Sequence, residues 1–230
     1  MQNNSTQTFR RRLTIVGLIA GPLITIFGSI LVMGIPEDED MRKSFTTMGE
    51  HGNTLLLSDL VVTAGFTITA LALISATSLA RARGGIVATI GAIMAGFGIA
   101  GFGLANGTGL AVIALAQEDD ADTAFTFAKS ITESGPLVPA SGIGWLLEML
   151  GLIGLALVYL GLWRARVVPV WPFVLVLVGS LANIAAPSPV TVLGSVLLAC
   201  VAGTWTAIRI SRLGAQAEVP ADAPVASLAQ

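Results

Sequence analysis

The sequence predicts an all-α membrane protein, a bundle of six transmembrane helices with both termini on the cytoplasmic side. Hydrophobic residues make up 54% of the chain and charged residues only 11%, whereas about a quarter of a typical soluble domain is charged. The apolar residues come in six blocks, each near the roughly 20 residues that a helix needs to cross hydrocarbon. Basic residues fall at alternate connections between these blocks, as in a multi-pass protein.

The six blocks define one transmembrane domain with a polar segment at each end. Residues 1–12 form a cytoplasmic N-terminal segment, of which residues 1–9 are predicted to be disordered. The predicted spans are approximately residues 13–34, 58–79, 86–106, 143–163, 167–186 and 190–210, within a domain of residues 13–213. Residues 214–230, rich in Ala and Pro, form a disordered cytoplasmic tail. The first block is too long for a signal peptide, so we predict a retained helix.

Lys and Arg residues orient the spans. Most of the twelve fall on one side of a six-span chain: Arg10, Arg11, Arg12, Arg81, Arg83, Arg164, Arg166, Arg209 and Arg212. Arg42, Lys43 and Lys129 fall on the other side, among the acidic residues of segments 37–50 and 118–133. Because positive charge is retained in the cytoplasm, both termini are predicted to be cytoplasmic. The Ala- and Gly-rich composition suggests a bacterium, and therefore its inner cell membrane.

The third block has an ambiguous end. Apolar character continues to residue 116, but Gly and Asn weaken a helix, so Asn106-Gly107-Thr108-Gly109 is the predicted exit. Residues 110–116 then continue the helix outside, lie on the surface or re-enter, and we favour an interfacial or extracellular extension. Because its many glycines allow close approach, we expect this helix to be central. A second copy of the chain or another protein could also pack on a glycine-rich helix face, and the sequence does not decide between these partners.

Glu148 is the most informative polar residue. It lies in the fourth block, about 7.5 Å below the outer end of that helix. An ionisable group at this depth is costly and usually faces protein or a water-filled cavity. Gly144 and Gly151 lie on the same helix face, and Tyr159 lies near it further along. A ligand- or proton-binding carboxylate and a protonated or hydrogen-bonded structural Glu fit this position equally well.

Other polar residues lie at a similar depth on neighbouring blocks. Asp59 and Thr63 are near the outer end of the second block, Asn106 near that of the third and Asn183 near that of the fifth. If these helices adjoin the fourth, an outward-facing pocket results, and its predicted ligand-binding residues are Glu148, Asp59, Asn183, Asn106, Thr63 and Tyr159. The alternative is that residues near an interface are polar because water is close. The inner half offers only hydroxyl groups, which weakens a proton-relay or ion-pathway interpretation.

Several kinds of site are not indicated. Cys200 is the only cysteine, so no intrachain disulfide can form. His51 is the only histidine, and a zinc site usually needs three or four protein ligands. The acidic runs lack the spacing of an EF-hand loop, and no Walker sequence or Ser/His/Asp set occurs. We therefore predict no metal and no cofactor. No basic face suits nucleic acid, so the predicted partner is the lipid bilayer.

An internal repeat is a further hypothesis. Arg81-Ala82-Arg83 recurs as Arg164-Ala165-Arg166, with an acidic loop before the preceding helix in both cases. Transporters are often built from such repeats. Any series of hairpins with cytoplasmic basic turns produces the same pattern, and we slightly favour that simpler explanation.

The stretch from Leu155 to Trp171 ends a helix in Arg164-Ala165-Arg166 and then reads Val168-Pro169-Val170-Trp171. It resembles a pattern in small bacterial six-helix membrane proteins classed as domains of unknown function. The resemblance covers the fourth and fifth blocks and implies the six-helix topology, with no activity and no residue roles.

The leading functional hypothesis is a non-enzymatic membrane protein, either an accessory subunit or a binder of a small hydrophobic or lipid ligand through the outward-facing polar pocket. The alternative is a small secondary transporter or channel that uses Glu148. A membrane enzyme acting on lipid, with Glu148 and Asp59 as acid and base, ranks last because no nucleophile or metal set accompanies them.

Overall fold

A computed structural model describes residues 4–36, 40–80, 84–118, 121–134, 138–186 and 188–217. This part of the chain contains no strand, which confirms the all-α prediction for it. A 3₁₀ turn, Thr77–Leu79, follows α3, and a π-helical turn, Ser130–Ser134, follows α5. The α-helices are α1 (Asn4–Val32), α2 (Met41–Glu50), α3 (Gly52–Ala76), α4 (Gly85–Glu118), α5 (Ala121–Lys129), α6 (Val138–Arg164), α7 (Trp171–Ala185) and α8 (Pro189–Ala217).

Five of these helices are long and apolar enough to cross a membrane. They contain the candidate spans Thr8–Val32, Gly52–Leu79, Gly85–Glu118, Ser141–Arg164 and Val190–Leu213. α7 is apolar but has only 15 residues, so it is about 22 Å long against a hydrocarbon core of about 30 Å. Large apolar side chains such as Leu60 and Ile86 are exposed on the outside of the bundle, as lipid contact requires. The fold fits a membrane-embedded protein with five helices that could each span the bilayer.

Six helices form a closed ring in the order α1, α3, α4, α6, α7, α8, with α8 packed against α1 again. Neighbouring helices along this ring are antiparallel wherever close approaches fix their direction, as at Gly21 against Gly65 and Gly98 against Gly151. One end of the ring holds Arg164, Arg166 and Arg209, and we call it the basic end. The opposite end, which carries α2 and α5, is the acidic end.

Glycine seams hold the ring together. On α4 and α6, a Cβ at Gly98 or at Gly151 would overlap the backbone of the other helix. This approach replaces side-chain packing by backbone contact, where dispersion acts between many atoms. Exposed side chains such as Ile90 and Ile93 cover the outer face of α4, so it is a member of the ring and not the central helix that the sequence predicted. Gly96, Gly103 and Gly107 have no neighbouring atom within 4 Å and lie outside the seam.

The turn after α6 explains why α7 starts later than predicted. The Val167 N–H donates to the Leu162 carbonyl at 2.9 Å, and the Arg166 N–H donates to the Trp163 carbonyl at 2.8 Å. Arg166 has φ 61°, which completes a Schellman motif that ends the helix. Pro169 cannot continue a helical ladder. Residues 167–170 are thus outside any helix, and α7 begins at Trp171.

α4 does not end at residues 106–109, so the predicted helix exit is wrong. The helix continues to Glu118 for 34 residues. Asn106 Nδ2 donates to Thr63 Oγ1 at 2.8 Å and Gln117 Nε2 donates to Asn53 Oδ1 at 3.5 Å, so α3 supports the whole extension. These contacts offset a local helix propensity that is weaker by about 1 kcal/mol per glycine. Residues 110–116 are helical, as in the first of the three alternatives. Their interfacial or extracellular position stays a prediction.

At the acidic end, α2 and α5 pack on the last turns of α4. The Phe45 and Phe125 rings meet edge to face at 5.9 Å, and Ile113, Ala124 and Ile131 are buried beside them. A groove of about 570 Å³ lies between α4 and α5.

Helix ends also differ from the predicted segments. α1 starts at Asn4 rather than after a disordered segment, and α8 continues to Ala217 into the predicted tail. Residues 1–3 and 218–230 lie outside the described residues, as do Arg81 and Arg83. The repeat hypothesis pairs α4 with α7, and these helices have 34 and 15 residues, so their lengths do not support it.

Candidate functional site

Three of the predicted site residues lie together on the seam between α3 and α4. Thr63 and Asn106 are joined by the hydrogen bond described above. Asp59 is one helical turn from Thr63 towards the acidic end, and its Oδ2 atom lies 3.7 Å from the position of a Cβ built on Gly109. We call Asp59, Thr63 and Asn106 the α3–α4 cluster. The absence of a side chain at Gly109 leaves room for the Asp59 carboxylate.

Glu148 and Asn183 form a second pair, on α6 and α7. The Ser180 hydroxyl donates to the Leu152 carbonyl at 3.4 Å, which fixes the register of the two helices. Glu148 lies about 6 Å from Leu152 towards the acidic end, and Asn183 lies about 4.5 Å from Ser180 in the same direction. The two polar side chains are therefore at nearly the same depth on adjacent helices. We call them the α6–α7 pair.

Two oxygen acceptors of the α6–α7 pair have no hydrogen-bond partner within the described residues. The Oδ1 atom of Asn183 is buried and has no hydrogen-bond partner within the described residues. The half-buried carboxylate of Glu148 likewise has no hydrogen bond or ion pair in that part of the chain. Leaving a buried acceptor unpaired costs about 1–3 kcal/mol, and more if the group is charged. A hydrogen-bond donor would remove this cost, but the Asn183 Oδ1 atom is buried, so a neighbouring group would have to move before a donor could reach it.

An aromatic pair lies beside these polar groups. The Phe66 and Phe102 rings stack with centroids 4.7 Å apart across α3 and α4. Gly101 packs against Glu148, because a Cβ on Gly101 would sit 2.6 Å from the Glu148 backbone nitrogen. Phe102 is the next residue of α4. No contact between the α3–α4 cluster and the α6–α7 pair occurs in the described structure. The predicted pocket residues at the acidic end therefore lie in two separate polar groups, with the Phe66 and Phe102 pair next to the α3–α4 cluster.

Tyr159 lies apart from both groups. It is about 16 Å further along α6 than Glu148, towards the basic end, and only 1% exposed within the core. Its phenol faces the buried hydroxyl of Thr206 on α8, which does not reach hydrogen-bond geometry with any described atom. The structure places Tyr159 with the core and not with the polar groups at the acidic end.

Sequence reasoning missed a polar junction around Tyr159. Pro22 has no N–H, so it leaves the Leu18 carbonyl without its helical donor. A Cβ on Gly203 would lie 2.5 Å from that carbonyl oxygen and 3.8 Å from the Tyr159 hydroxyl. The signal was Pro22 itself, because the proline identifies which carbonyl loses its partner. Only tertiary structure shows which helix that carbonyl meets.

These sites offer carboxylate and amide oxygens as acceptors and amide N–H and hydroxyl groups as donors, so the chemistry available to them is non-covalent binding. Among the described residues, no group of three His, Cys, Asp or Glu side chains is placed to hold a metal ion. His51 is exposed at the start of α3 and makes no capping hydrogen bond with its side chain. Parts of both acidic runs, residues 37–39 and 119–120, lie outside the described residues.

The fold and these groups define an all-α protein with five helices that are long and apolar enough to cross a membrane. Two oxygen acceptors without a described partner, on Glu148 and Asn183, lie at one depth near the acidic end of its ring. Comparisons with protein-family models, curated proteins and solved structures found no significant match to this chain.

Proposed function

We propose that the chain is a non-enzymatic protein of the bacterial inner membrane that crosses the bilayer six times, with both termini in the cytoplasm. It binds a lipid or another small hydrophobic ligand through an outward-facing polar pocket near the acidic end, as an accessory subunit or as a dedicated binder. The observation that carries this proposal is the α6–α7 pair, two acceptors at one depth with no donor among the described residues.

Charge and helix direction support the proposed topology. The antiparallel ring places Arg164, Arg166, Arg209 and Arg212 at one end, while the exposed acids Glu118, Asp122 and Glu133 lie at or beyond the other. Positive charge favours the cytoplasmic side, so the acidic end faces the outside. α7 then makes the sixth crossing, although its helical part is shorter than the hydrocarbon core.

Surface glycines support an accessory role. Gly96, Gly103 and Gly107 lie on one side of α4, and open space surrounds each of them. Small residues at lipid-facing positions let another helix approach closely. A second copy of the chain or another membrane protein fits this face.

The experiment that tests ligand binding is native mass spectrometry of protein released from its own membrane. Glu148→Gln removes the charge and adds a donor while keeping the shape of the side chain. We expect about a tenfold loss of retained ligand, since a hydrogen bond to a charged group contributes about 1.5–3 kcal/mol. Glu133→Gln, on an exposed acid outside the ring, is the matched control. Equal ligand retention in both variants would contradict the proposal.

A small transporter or channel is the second candidate, and the polar junction at Tyr159 favours it. Pro22 interrupts the hydrogen bonds of α1, and Gly203 allows α1 to approach α8 closely. At this position α1 can bend relative to α8. In the described state the core around Leu73, Val158 and Leu162 fills the ring near the basic end. Transport would require this core to open. The test is solute flux into proteoliposomes. Flux that is lost in the Glu148→Gln variant would support a transporter or channel, and flux that is unchanged in this variant would count against it.

A further inference from the structure

The basic end of the ring carries arginines but, within the described residues, no carboxylate. Every acidic residue that the structure describes lies in the half nearer the acidic end. The arginines at the basic end include Arg10, Arg12, Arg164, Arg166, Arg209 and Arg212. Glu218 and Asp222, further along the chain, lie outside the described residues. A surface with this charge attracts anions.

Arg209 differs from the other arginines because the fold holds its side chain in place. Its Nε atom is buried and has no hydrogen-bond partner, and its guanidinium group forms no ion pair within the described part of the chain. Its Nη atoms are not buried, and the side chain as a whole is partly covered. Since the guanidinium charge is delocalised, an anion that reaches the Nη atoms neutralises the whole group.

Arg209 shares one face of α8 with apolar and basic neighbours. Trp205 precedes it by four residues and Arg212 follows it by three, so these side chains are neighbours on the helix surface. The Trp205 ring meets the Trp171 ring edge to face at 5.4 Å, which places this face beside the first residue of α7. Trp205 and Ile208 are 41% and 39% exposed. We call Trp205, Ile208, Arg209 and Arg212 the α8 basic face.

The order of side chains along this surface matches the order of groups in a phospholipid. Val201 and Leu197 continue the same side of α8 towards the acidic end, and both are about half exposed. Trp163, at the end of α6, is exposed near the same end of the ring as Trp205. Indole rings prefer the membrane–water interface. Arg209 lies about 6 Å beyond Trp205 along the helix, which is the direction of the lipid phosphate.

We infer that the α8 basic face binds an anionic phospholipid from the leaflet at the basic end, with the phosphate on Arg209 and Arg212 and an acyl chain along Val201 and Leu197. The phosphate oxygens accept N–H groups of the guanidinium fork, whose planar geometry suits them. The buried Nε atom keeps the fork in one position, so little side-chain freedom is lost on binding.

The site is independent of the ligand proposed for the acidic end. Asn183 lies about 18 Å from Trp171 along α7. Phosphatidylglycerol and phosphatidylcholine test the headgroup, because both contain a phosphate but the choline cation offsets its charge in the second lipid. Preference for the anionic lipid therefore reports the charge that the α8 basic face recognises.

The test uses Trp205 as a fluorescent reporter, in a protein with Trp145→Phe, Trp163→Phe and Trp171→Phe. Proteoliposomes contain phosphatidylcholine and a small fraction of phosphatidylglycerol. Bromine is placed on the acyl chains of the phosphatidylglycerol or, in a second preparation, of an equal amount of phosphatidylcholine. Quenching should show about tenfold enrichment of phosphatidylglycerol beside Trp205, as expected for a charge-assisted contact. Equal quenching in the two preparations would overturn the proposal.

Arg209→Gln should abolish the enrichment, because it removes the guanidinium group. Arg164→Gln is the matched control, with the same change of charge on an exposed residue at the same end, and it should keep the enrichment. Equal losses in both variants would show that only the summed charge attracts the lipid, and would overturn the site. Arg209→Lys serves if Arg209→Gln does not fold. It keeps the charge without the fork, so it should lose part of the enrichment, and an unchanged enrichment would contradict the fork.

A second arm separates lipid from a free anion. Inorganic phosphate, added in place of chloride at equal ionic strength, should leave the quenching unchanged because it has no acyl chain. Recovery of Trp205 fluorescence in phosphate would show that the face binds a free anion, and would overturn the lipid assignment.

A third arm tests whether carboxylates of the chain itself occupy the face. Glu218→Gln combined with Asp222→Asn should leave the enrichment unchanged, and a large rise would show that these residues, not lipid, are the natural occupant. Glu148→Gln should leave the enrichment unchanged as well. A failure of the pocket proposed at the acidic end and a failure of the α8 basic face are therefore distinguishable results.

Discussion

At the scale of single residues, polar backbone and side-chain atoms meet where α1, α6 and α8 come together. The Leu18 carbonyl has lost its helical donor to Pro22, and it lies against Gly203 close to the Tyr159 phenol. Gly203 has to lack a side chain here, because a methyl group would press on the carbonyl oxygen. The contact couples the path of α1 to the position of α8.

Gly203→Ala should lower the stability of the protein by about 1–3 kcal/mol, since overpacking at this contact separates α1 from α8. Gly194→Ala is the matched control on the same helix, because no atom lies within 4 Å of the position of its Cβ. The control should be neutral or stabilising. Thermal unfolding in detergent measures both variants. Equal midpoints would contradict the close contact.

Arg166 is a second residue whose backbone conformation matters. Its positive φ is unfavourable for a residue with a Cβ by about 1–2 kcal/mol, and glycine adopts this conformation at little cost. Arg166→Gly should therefore raise the unfolding midpoint. Arg164→Gly, inside the last turn of α6, should lower it because glycine weakens a helix. A destabilised Arg166→Gly variant would show that the arginine side chain contributes more than the backbone strain costs.

At the scale of helices, α4 shows how packing overrides local propensity. Its second half has several glycines and an asparagine, yet it remains helical because α3, α2 and α5 all pack against it. None of the described glycines has a positive φ. The residues that predicted an exit are instead ordinary positions of a long helix.

Gly107→Ala should stabilise the protein by up to about 1 kcal/mol, because the position is helical and its surroundings are open. Gly98→Ala on the same helix should destabilise it strongly, since the seam with Gly151 has no room for a Cβ. Unfolding midpoints of both variants, measured in the same detergent, test the continuity of α4. A clear loss of stability in Gly107→Ala would argue that the helix ends at residues 106–109.

At the scale of the whole molecule, the two ends of the ring differ in the helices and side chains that lie there. The core of Leu18, Leu73, Val158, Tyr159 and Leu162 lies in the half nearer the basic end. Towards the acidic end, α2 and α5 pack on α4, and α7 ends at Ala185 soon after the α6–α7 pair. This is the end at which we propose that the molecule binds its ligand.

The orientation of the ring is testable with single cysteines in a Cys200→Ser background. Thr126→Cys lies on α5 at the acidic end and Ser211→Cys on α8 at the basic end, and both native side chains are exposed. A membrane-impermeant maleimide added to intact cells should label Thr126→Cys and should label Ser211→Cys only after lysis. The reverse result would invert the topology, and the proposed pocket would then face the cytoplasm.

The sequence by itself determined the class of protein, the six apolar helices and the separation of basic from acidic ends, because hydropathy and charge act through composition along the chain. It grouped Asp59, Thr63 and Asn106 with Glu148 and Asn183 only on the condition that their helices adjoin. The hydrogen bond from Asn106 to Thr63 shows that this condition is met for α3 and α4, while the ligand-binding role of these residues stays a prediction. Only tertiary structure decided that Glu148 and Asn183 lie at nearly the same depth on adjacent helices, that Tyr159 belongs to the core and that α4 continues past Gly109. These outcomes depend on the register and relative length of neighbouring helices, which glycine contacts between distant residues fix and which no local pattern encodes.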